Sequence, residues 1–135
     1  MVMRCLLDTN TIIFALKDAQ GRSALRIGEA VHDDVSICSI VEAELYHGAT
    51  KYGRPTRRKA ILDAFLAPFH SLSFDSACVP QYARIRDHLE RQGSRIGGND
   101  LLIAAIELTH DLTVVTHNCN EFNRVPGLRV EDWTV

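Results

Sequence analysis

Long apolar runs are missing from this chain of 135 residues. The longest, Leu101 to Ile106, falls far short of the roughly 20 residues that span a bilayer. The N-terminus has no charged stretch ahead of a long apolar one, so no secretory signal is read and the cytoplasm is the expected compartment. Paired cysteines are missing as well. Cys5, Cys38, Cys78 and Cys119 never fall at Cys-x-x-Cys spacing, and three of them have apolar neighbours. That favours buried free thiols over disulfides. His117-Asn118-Cys119 supplies half of a zinc pattern, and no second half follows. There is no excess of positive charge either. A formal net charge of −2 is not the bulk signature of a nucleic-acid binder. Repeats, linkers and low-complexity stretches are absent.

What is present is an ordinary globular composition, with 46% hydrophobic and 24% charged residues. It suggests one domain spanning residues 1–135, with a core that needs no metal or disulfide to fold. Short apolar strand candidates at 4–7, 35–38, 70–74, 112–116 and 128–132 alternate with helical segments. The helices are expected at 11–17, 22–32, 39–49, 56–67, 75–92 and 100–110. Ser39 is read as the cap of the third, Asp75 as the cap of the fifth, and Gly48, Gly53 and Pro55 as a turn. Such alternation predicts an α/β/α sandwich around a mainly parallel sheet. It does not give the strand order.

Carboxylates carry the chemical signal. Asp8 ends the first strand, at the edge where open parallel sheets bind ligands. On a helical wheel of residues 39–49, Glu44 falls between Ile40 and Gly48 on the apolar arc, and Glu42 falls opposite. Glu44 is therefore expected to be buried and Glu42 exposed; a buried carboxylate needs a partner or a metal. Asp100 opens a helix that is apolar nearly all round, so it is expected against the sheet and either another helix or a second subunit. Asn99 is available to cap that helix, which frees Asp100 for another role. After the strand 112–116 come Thr116, His117 and Asn118, with Glu121 a turn later. Asp8, Glu44 and Asp100 gathered at one edge would repel each other unless a hard dication neutralised them. All-oxygen ligands select Mg²⁺ or Mn²⁺ over zinc. Two such ions about 4 Å apart can clamp a phosphodiester for hydrolysis. Arg54, Arg57, Arg58 and Lys59 cluster, and Arg84, Arg86, Arg91 and Arg95 recur further on. Both sets read either as solvated helix faces or as a phosphate-tracking rim.

Four segments taken together resemble the PIN-domain ribonucleases, and among them the VapC toxins of bacterial type II toxin–antitoxin systems. They are Leu-Leu-Asp8-Thr-Asn-Thr-Ile-Ile, Ile-Val-Glu-Ala-Glu44-Leu-Tyr-His-Gly48-Ala, Gly97-Gly-Asn-Asp100-Leu-Leu-Ile-Ala and Val-Val-Thr116-His-Asn-Cys-Asn-Glu121-Phe. The tail from Phe122 to Trp133 is similar to that of the group cutting initiator tRNA in its anticodon stem-loop. The resemblance implies a Mg²⁺-dependent endoribonuclease, with Mn²⁺ as a substitute, that hydrolyses RNA and so inhibits translation and growth. It implies that Asp8 and Asp100 are the principal metal ligands and that Glu44 completes the catalytic core. Thr9, Asn10, Ser39 and Thr116 would orient these carboxylates. The family's fourth acidic position is Asn118 here; either Glu121 takes its place or one ion suffices. A homodimer and a VapB-type antitoxin, reaching a basic side chain into the acidic pocket, are implied too.

Rival readings fail at named residues. A haloacid-dehalogenase-type phosphatase needs an acid two residues after Asp8, where Asn10 stands. A receiver-like domain needs a late lysine, and the lysines are Lys17, Lys51 and Lys59. The alternative left open is a catalytically inactive PIN domain that binds RNA or protein.

Overall fold

The computed structural model describes residues 4–30 and 34–135. Five short strands, β1 Cys5–Leu7, β2 Val35–Cys38, β3 His70–Leu72, β4 Thr113–Val115 and β5 Arg129–Glu131, form one sheet. Their order is β3-β2-β1-β4-β5 and every pairing is parallel. β1, β2 and β4 are buried at every position, as a parallel sheet covered on both faces requires. Together with the helices they make the expected α/β/α sandwich.

The strand order explains where a site can lie. From β1 the chain steps outward through β2 to β3, then returns to β4 beside β1 and steps the other way to β5. The direction reverses between β1 and β4. At such a switch point the segments leaving the two strands diverge and open a crevice at their carboxyl ends. Asp8 leaves β1 there and Thr116 leaves β4, and the pairing runs one step past the strands, with Asp8 N–H donating to the Val115 carbonyl at 2.9 Å.

The helices are α1 Thr9–Lys17, α2 Arg22–Glu29, α3 Ser39–Lys51, α4 Pro55–Leu66, α5 Val79–Arg91, α6 Gly98–His110 and the single turn α7 Cys119–Phe122. Several differ from the sequence reading. α1 begins two residues early because Asp8 itself caps it, accepting from Thr9 N–H. The end of the helix expected at 22–32 lies partly outside the described residues; α2 ends at Glu29. Ser39 is the first residue of α3 rather than its cap, and the cap position, Cys38, gives no side-chain bond. Gly48 is not in a turn: α3 runs through it to Lys51. Asp75 caps a 3₁₀ turn, Ser76–Cys78, that leads into α5 and lets Pro80 sit in the first turn of the helix, where its missing N–H costs nothing. Gly93, at φ +65°, turns the chain out of α5. α6 begins at Gly98, so Asn99 is inside the helix; Gly97 is at the cap position, with no side-chain bond.

α6 is the buried helix that its composition predicts, packing on α5, α3 and β4. Its surprise is Glu107, fully buried among Ile103, Ala104 and Ile106. Among the described residues neither carboxylate oxygen has a hydrogen-bond partner. Burial, and secondarily the charge of Asp8, hold this carboxyl well above the usual range, so it is kept protonated. Cys38, Cys78 and Cys119 are free thiols; Cys5, Cys38 and Cys78 are buried and Cys119 is half-buried. Burial lifts the Cys5 thiol to about 11 and Cys38 to about 12, which makes both inert. Among the described residues, no helix is long and apolar enough to cross a membrane.

Candidate active site at the carboxyl edge of the sheet

Asp8 lies at the centre of the crevice and is 4% exposed. One oxygen caps α1 through Thr9 N–H at 2.8 Å. The other accepts the Thr116 hydroxyl at 2.7 Å. That hydroxyl is used to capacity: it donates to Asp8 and accepts from Asn118 N–H at 2.9 Å and from Asn10 Nδ2 at 3.3 Å. Asn10 also reaches Asp8 at 3.5 Å, and its carbonyl oxygen accepts from His117 N–H at 2.9 Å. Thr11 donates to the Val115 carbonyl at 3.1 Å. The residues after β1 are thus stitched to the residues after β4. Burial lifts the Asp8 carboxyl above its ordinary range, opposed by the bonds from Thr116 and Thr9 and reinforced by the charges of Glu44 and Glu121.

Glu44 reaches the same crevice from α3. Its Oε1 accepts the Thr9 hydroxyl at 2.8 Å. The wheel reading is corrected in one respect. The buried residues of α3 are Val41, Leu45 and Ala49, an arc centred on Leu45. Glu44 and Glu42 therefore lie on its two borders, and both are half-buried. Glu42 is not a free surface glutamate: it accepts a hydrogen bond from Ser71 on β3. The two still differ in what they face. Glu44 points to the crevice and Glu42 to the far strand.

Asp100 enters from the first turn of α6, half-buried. Asn118 joins it to the last carboxylate. The Asn118 amide donates to Asp100 Oδ2 at 3.1 Å and to Glu121 Oε2 at 2.7 Å. Glu121 sits on α7, a turn that the sequence reading left as loop; its other oxygen accepts from Gly97 N–H at 3.2 Å. Asp100 is pushed up to about 8 by burial first, then by its hydrogen bond with Glu121 and the charge of Asp8. Its partner Glu121 is held below the usual range by that same bond, aided by Asn118, Gly97 N–H and the charge of Arg124. Of the two, Asp100 is the one whose protonated form is favoured.

Asp8, Glu44, Asp100, Asn118 and Glu121 therefore come to one edge, drawn from four different segments, with Thr9, Asn10 and Thr116 bonded between them. Ser39 is different: among the described residues it makes no side-chain hydrogen bond to these carboxylates. Burial, and after it the neighbouring carboxylates, raise Asp100, and the donors are hard oxygens of the kind that suit Mg²⁺ or Mn²⁺. The arrangement is not a ready cage. Among the described residues no three His, Cys, Asp or Glu side chains stand close enough together to hold an ion. Hydroxyl and amide groups bridge the carboxylates instead. By the same measure His117 and Cys119 belong to no zinc site; His117 turns its Nδ1 to Asp132 at 3.1 Å.

Two concavities flank the crevice. One, of about 570 Å³, runs beside Glu44 between α1, α3 and α4. Its walls are mainly apolar: Ile13, Leu16, Leu45, Ala49, Ile61 and Leu62. The other is smaller, about 200 Å³, and lies between α5 and the start of α6.

Comparison with known proteins agrees with this fold. The PIN domain family model matches residues 5–128. A protein of Rickettsia felis called Ribonuclease VapC2 is 35% identical over 131 residues, covering 95% of this chain and 96% of its own. A tRNA(fMet)-specific endonuclease VapC of Salmonella typhimurium is 35% identical over 132 residues, covering 98% of this chain and 99% of its own. Among solved structures, DNA-bound VapBC from Salmonella typhimurium superposes with a TM-score of 0.90 at 35% identity, covering 97% of this chain and 98% of that one. VapBC2 from Rickettsia felis, bound to a DNA fragment from its promoter, gives 0.88 at 34% identity, covering 97% and 99%.

Proposed function

The chain belongs to the PIN-domain family, among the VapC ribonucleases of toxin–antitoxin systems, and from that premise we propose that it is a Mg²⁺-dependent endoribonuclease toxin whose catalytic carboxylates are Asp8, Glu44 and Asp100. The observation that carries the assignment of residues is their convergence. Three acidic side chains far apart in sequence meet at the switch-point crevice, and Asp8 and Asp100 are both raised there, by burial first and by the neighbouring carboxylates to a lesser degree. PIN-domain VapC nucleases are metal-dependent in general. Asp8 and Asp100 would hold the ion, with Glu44 beside them. When bound, the ion supplies positive charge against the scissile phosphate and polarises water for attack. Mn²⁺ has the same ligand preference and would substitute.

The chain's own groups do the rest. Thr116 and Thr9 N–H fix both oxygens of Asp8, so that it meets its ligand with little reorganisation. Thr9 does the same for Glu44. Asn10 keeps the strand ends joined. Asn118 stands where the family often has an acid, and Glu121 supplies a charge one turn later, held in place by Asn118 and Gly97. Ion uptake has to displace the proton favoured on Asp100.

Residues 1–135 act on this reading as one PIN domain, in the cytoplasm. The apolar groove beside Glu44 suits a segment of a VapB-type antitoxin better than it suits RNA. An amphipathic segment lying there could extend a basic side chain to the carboxylates and exclude ion and substrate together. The substrate is proposed to be initiator tRNA, cut in its anticodon stem-loop, which halts translation and growth. The active form is proposed to be a homodimer. The test is to sequence RNA 5′ ends after induction of the unaltered chain and of Asp8→Asn. New ends within the anticodon stem-loop of initiator tRNA are expected from the first only; the same ends from both would refute the assignment. An inactive PIN module would give new ends from neither.

A further inference from the structure

The smaller cleft, on the α6 side of the crevice, has no part in anything described so far. Its floor is apolar, with Leu89 and Leu101 buried and Ile96 half-buried. Tyr82 forms one wall, and Arg86 and Arg95 stand at the mouth. Arg86 is occupied: it donates to Glu90 at 2.9 Å and to the Tyr82 hydroxyl at 2.9 Å. Arg95 is not tied in the same way. Its side chain is 79% exposed, and its only ionic contact among the described residues is Glu90 at 3.9 Å. Arg124 comes up from beyond α7 and donates to the Arg95 carbonyl at 3.0 Å. Its charge is also felt by Glu121. Two cations, Arg86 and Arg95, thus line the cleft with one anion, Glu90, and Arg124 is bonded to the backbone at its edge.

The cleft and the acidic crevice share a wall. Arg95, Ile96 and Gly98 line the cleft, Gly97 N–H between them donates to Glu121, and Asp100 follows in the first turn of α6. We propose that this cleft is a nucleotide subsite, taking the base of one unpaired ribonucleotide beside the cut phosphodiester, with Arg95 and Arg124 against that nucleotide's phosphate. The inference rests on the nuclease reading. A flat aromatic wall over an apolar floor suits the face of a base, and exposed guanidinium groups at the mouth suit a phosphate.

The test measures cleavage of a single-stranded RNA by the full-length protein, as kcat and KM separately and over a range of salt. Arg95→Ala changes an exposed side chain and leaves its carbonyl bond to Arg124 in place, so folding is not at issue. It is expected to raise KM about five- to tenfold with kcat nearly unchanged, and to flatten the slope of log KM against log salt by about 0.7. Tyr82→Ala is expected to raise KM by roughly 5- to 100-fold, while Tyr82→Phe stays near the unaltered value. Removing the base from the flanking nucleotide should harm the unaltered protein and have no further effect on Tyr82→Ala. Unchanged KM and salt slope in Arg95→Ala and Tyr82→Ala, with the unaltered protein cleaving normally, would overturn the subsite alone. So would a loss of antitoxin affinity in those variants at constant KM, which would make the cleft a protein contact. Failure of the unaltered protein to cleave RNA with Mg²⁺ would remove the nuclease reading and the subsite with it.

Discussion

Thr9 donates its hydroxyl to Glu44 at 2.8 Å, although the two are 35 residues apart in sequence. The bond fastens the start of α1 to the middle of α3, and it orients Glu44 while the backbone N–H of the same threonine holds Asp8. Replacing Thr9 with valine keeps the shape and removes the donor. Groups that orient metal-binding side chains are worth about 10–100-fold in affinity or activity. Thr9→Val is therefore expected to weaken Mg²⁺ activation of RNA cleavage by that order, with Thr9→Ser largely restored. Equal activity of Thr9→Val and the unaltered protein across a Mg²⁺ titration would mean that this bond does not orient Glu44 for the reaction.

The two glutamates on the borders of α3 give a paired comparison. Glu44 faces the crevice, and Glu42 faces Ser71 on β3. Glu44→Gln is expected to abolish most cleavage. Glu42→Gln keeps an acceptor for Ser71 and is expected to keep activity within about twofold and to cost less than about 1 kcal/mol of stability. Measured rates in the reverse order would show that the active face of the helix is misassigned.

Asp100 makes ion uptake depend on pH in a definite direction. Its carboxyl is raised from 3.8 to about 8 in the folded chain, so the proton-bound form is favoured there. The stability that this proton brings is complete below 3.8 and is lost as pH rises towards about 8. A cation competes with the proton, so its binding strengthens over the same interval. The rise in Tm on adding Mg²⁺ should grow from pH 5 to about pH 8, and calorimetry near neutral pH should detect proton release on binding. Asp100→Asn should remove both effects. A Mg²⁺-induced shift that is constant over this interval would contradict the assignment.

Glu107 offers a test of stability away from the site. It is fully buried, and its oxygens have no hydrogen-bond partner among the described residues. Methionine has a similar volume and leaves no unpaired oxygen. Glu107→Met is expected to stabilise the chain by about 1–3 kcal/mol, a rise in Tm of several degrees. The gain should increase with pH, because a raised carboxyl loses its contribution as pH climbs through its folded value. Thermal unfolding at pH 6 and pH 9 checks this; a destabilised variant would mean that Glu107 has a favourable role in the core.

The layers of the fold were legible because strand and helix candidates alternate, β1 being a continuous apolar run and β4 a β-branched one. Strand order was not legible: it depends on which crossovers return beside β1, and no local pattern encodes that. Asp8 was legible from its place at the end of a strand, Asp100 from the apolar helix that follows it. Glu44 was found by an arc drawn too far to one side, since the buried arc centres on Leu45 and leaves both glutamates on its borders. Glu107 was not singled out, because a lone acid in a helix that is apolar nearly all round carries no periodic signal of which way it points. Asn118 was read as a substitution in the family pattern; its bridging of Asp100 and Glu121 depends on the turn at α7, too short to give a periodic signal. Arg124 and Gly97 make their contacts across the loop before α6, and nothing in their spacing announces it.

Cleavage of a labelled initiator-tRNA anticodon stem-loop by the purified protein, with Mg²⁺ and with chelator, is the most direct test of the carboxylate assignment. Asp8→Asn and Asp100→Asn should be assayed beside it, since asparagine at position 8 can still cap α1 and keep the fold. Cleavage is expected only from the unaltered protein and only with the metal, all three proteins giving the same far-ultraviolet circular dichroism. Equal cleavage by either variant, or undiminished cleavage in chelator, would contradict a metal-dependent site built on these two aspartates.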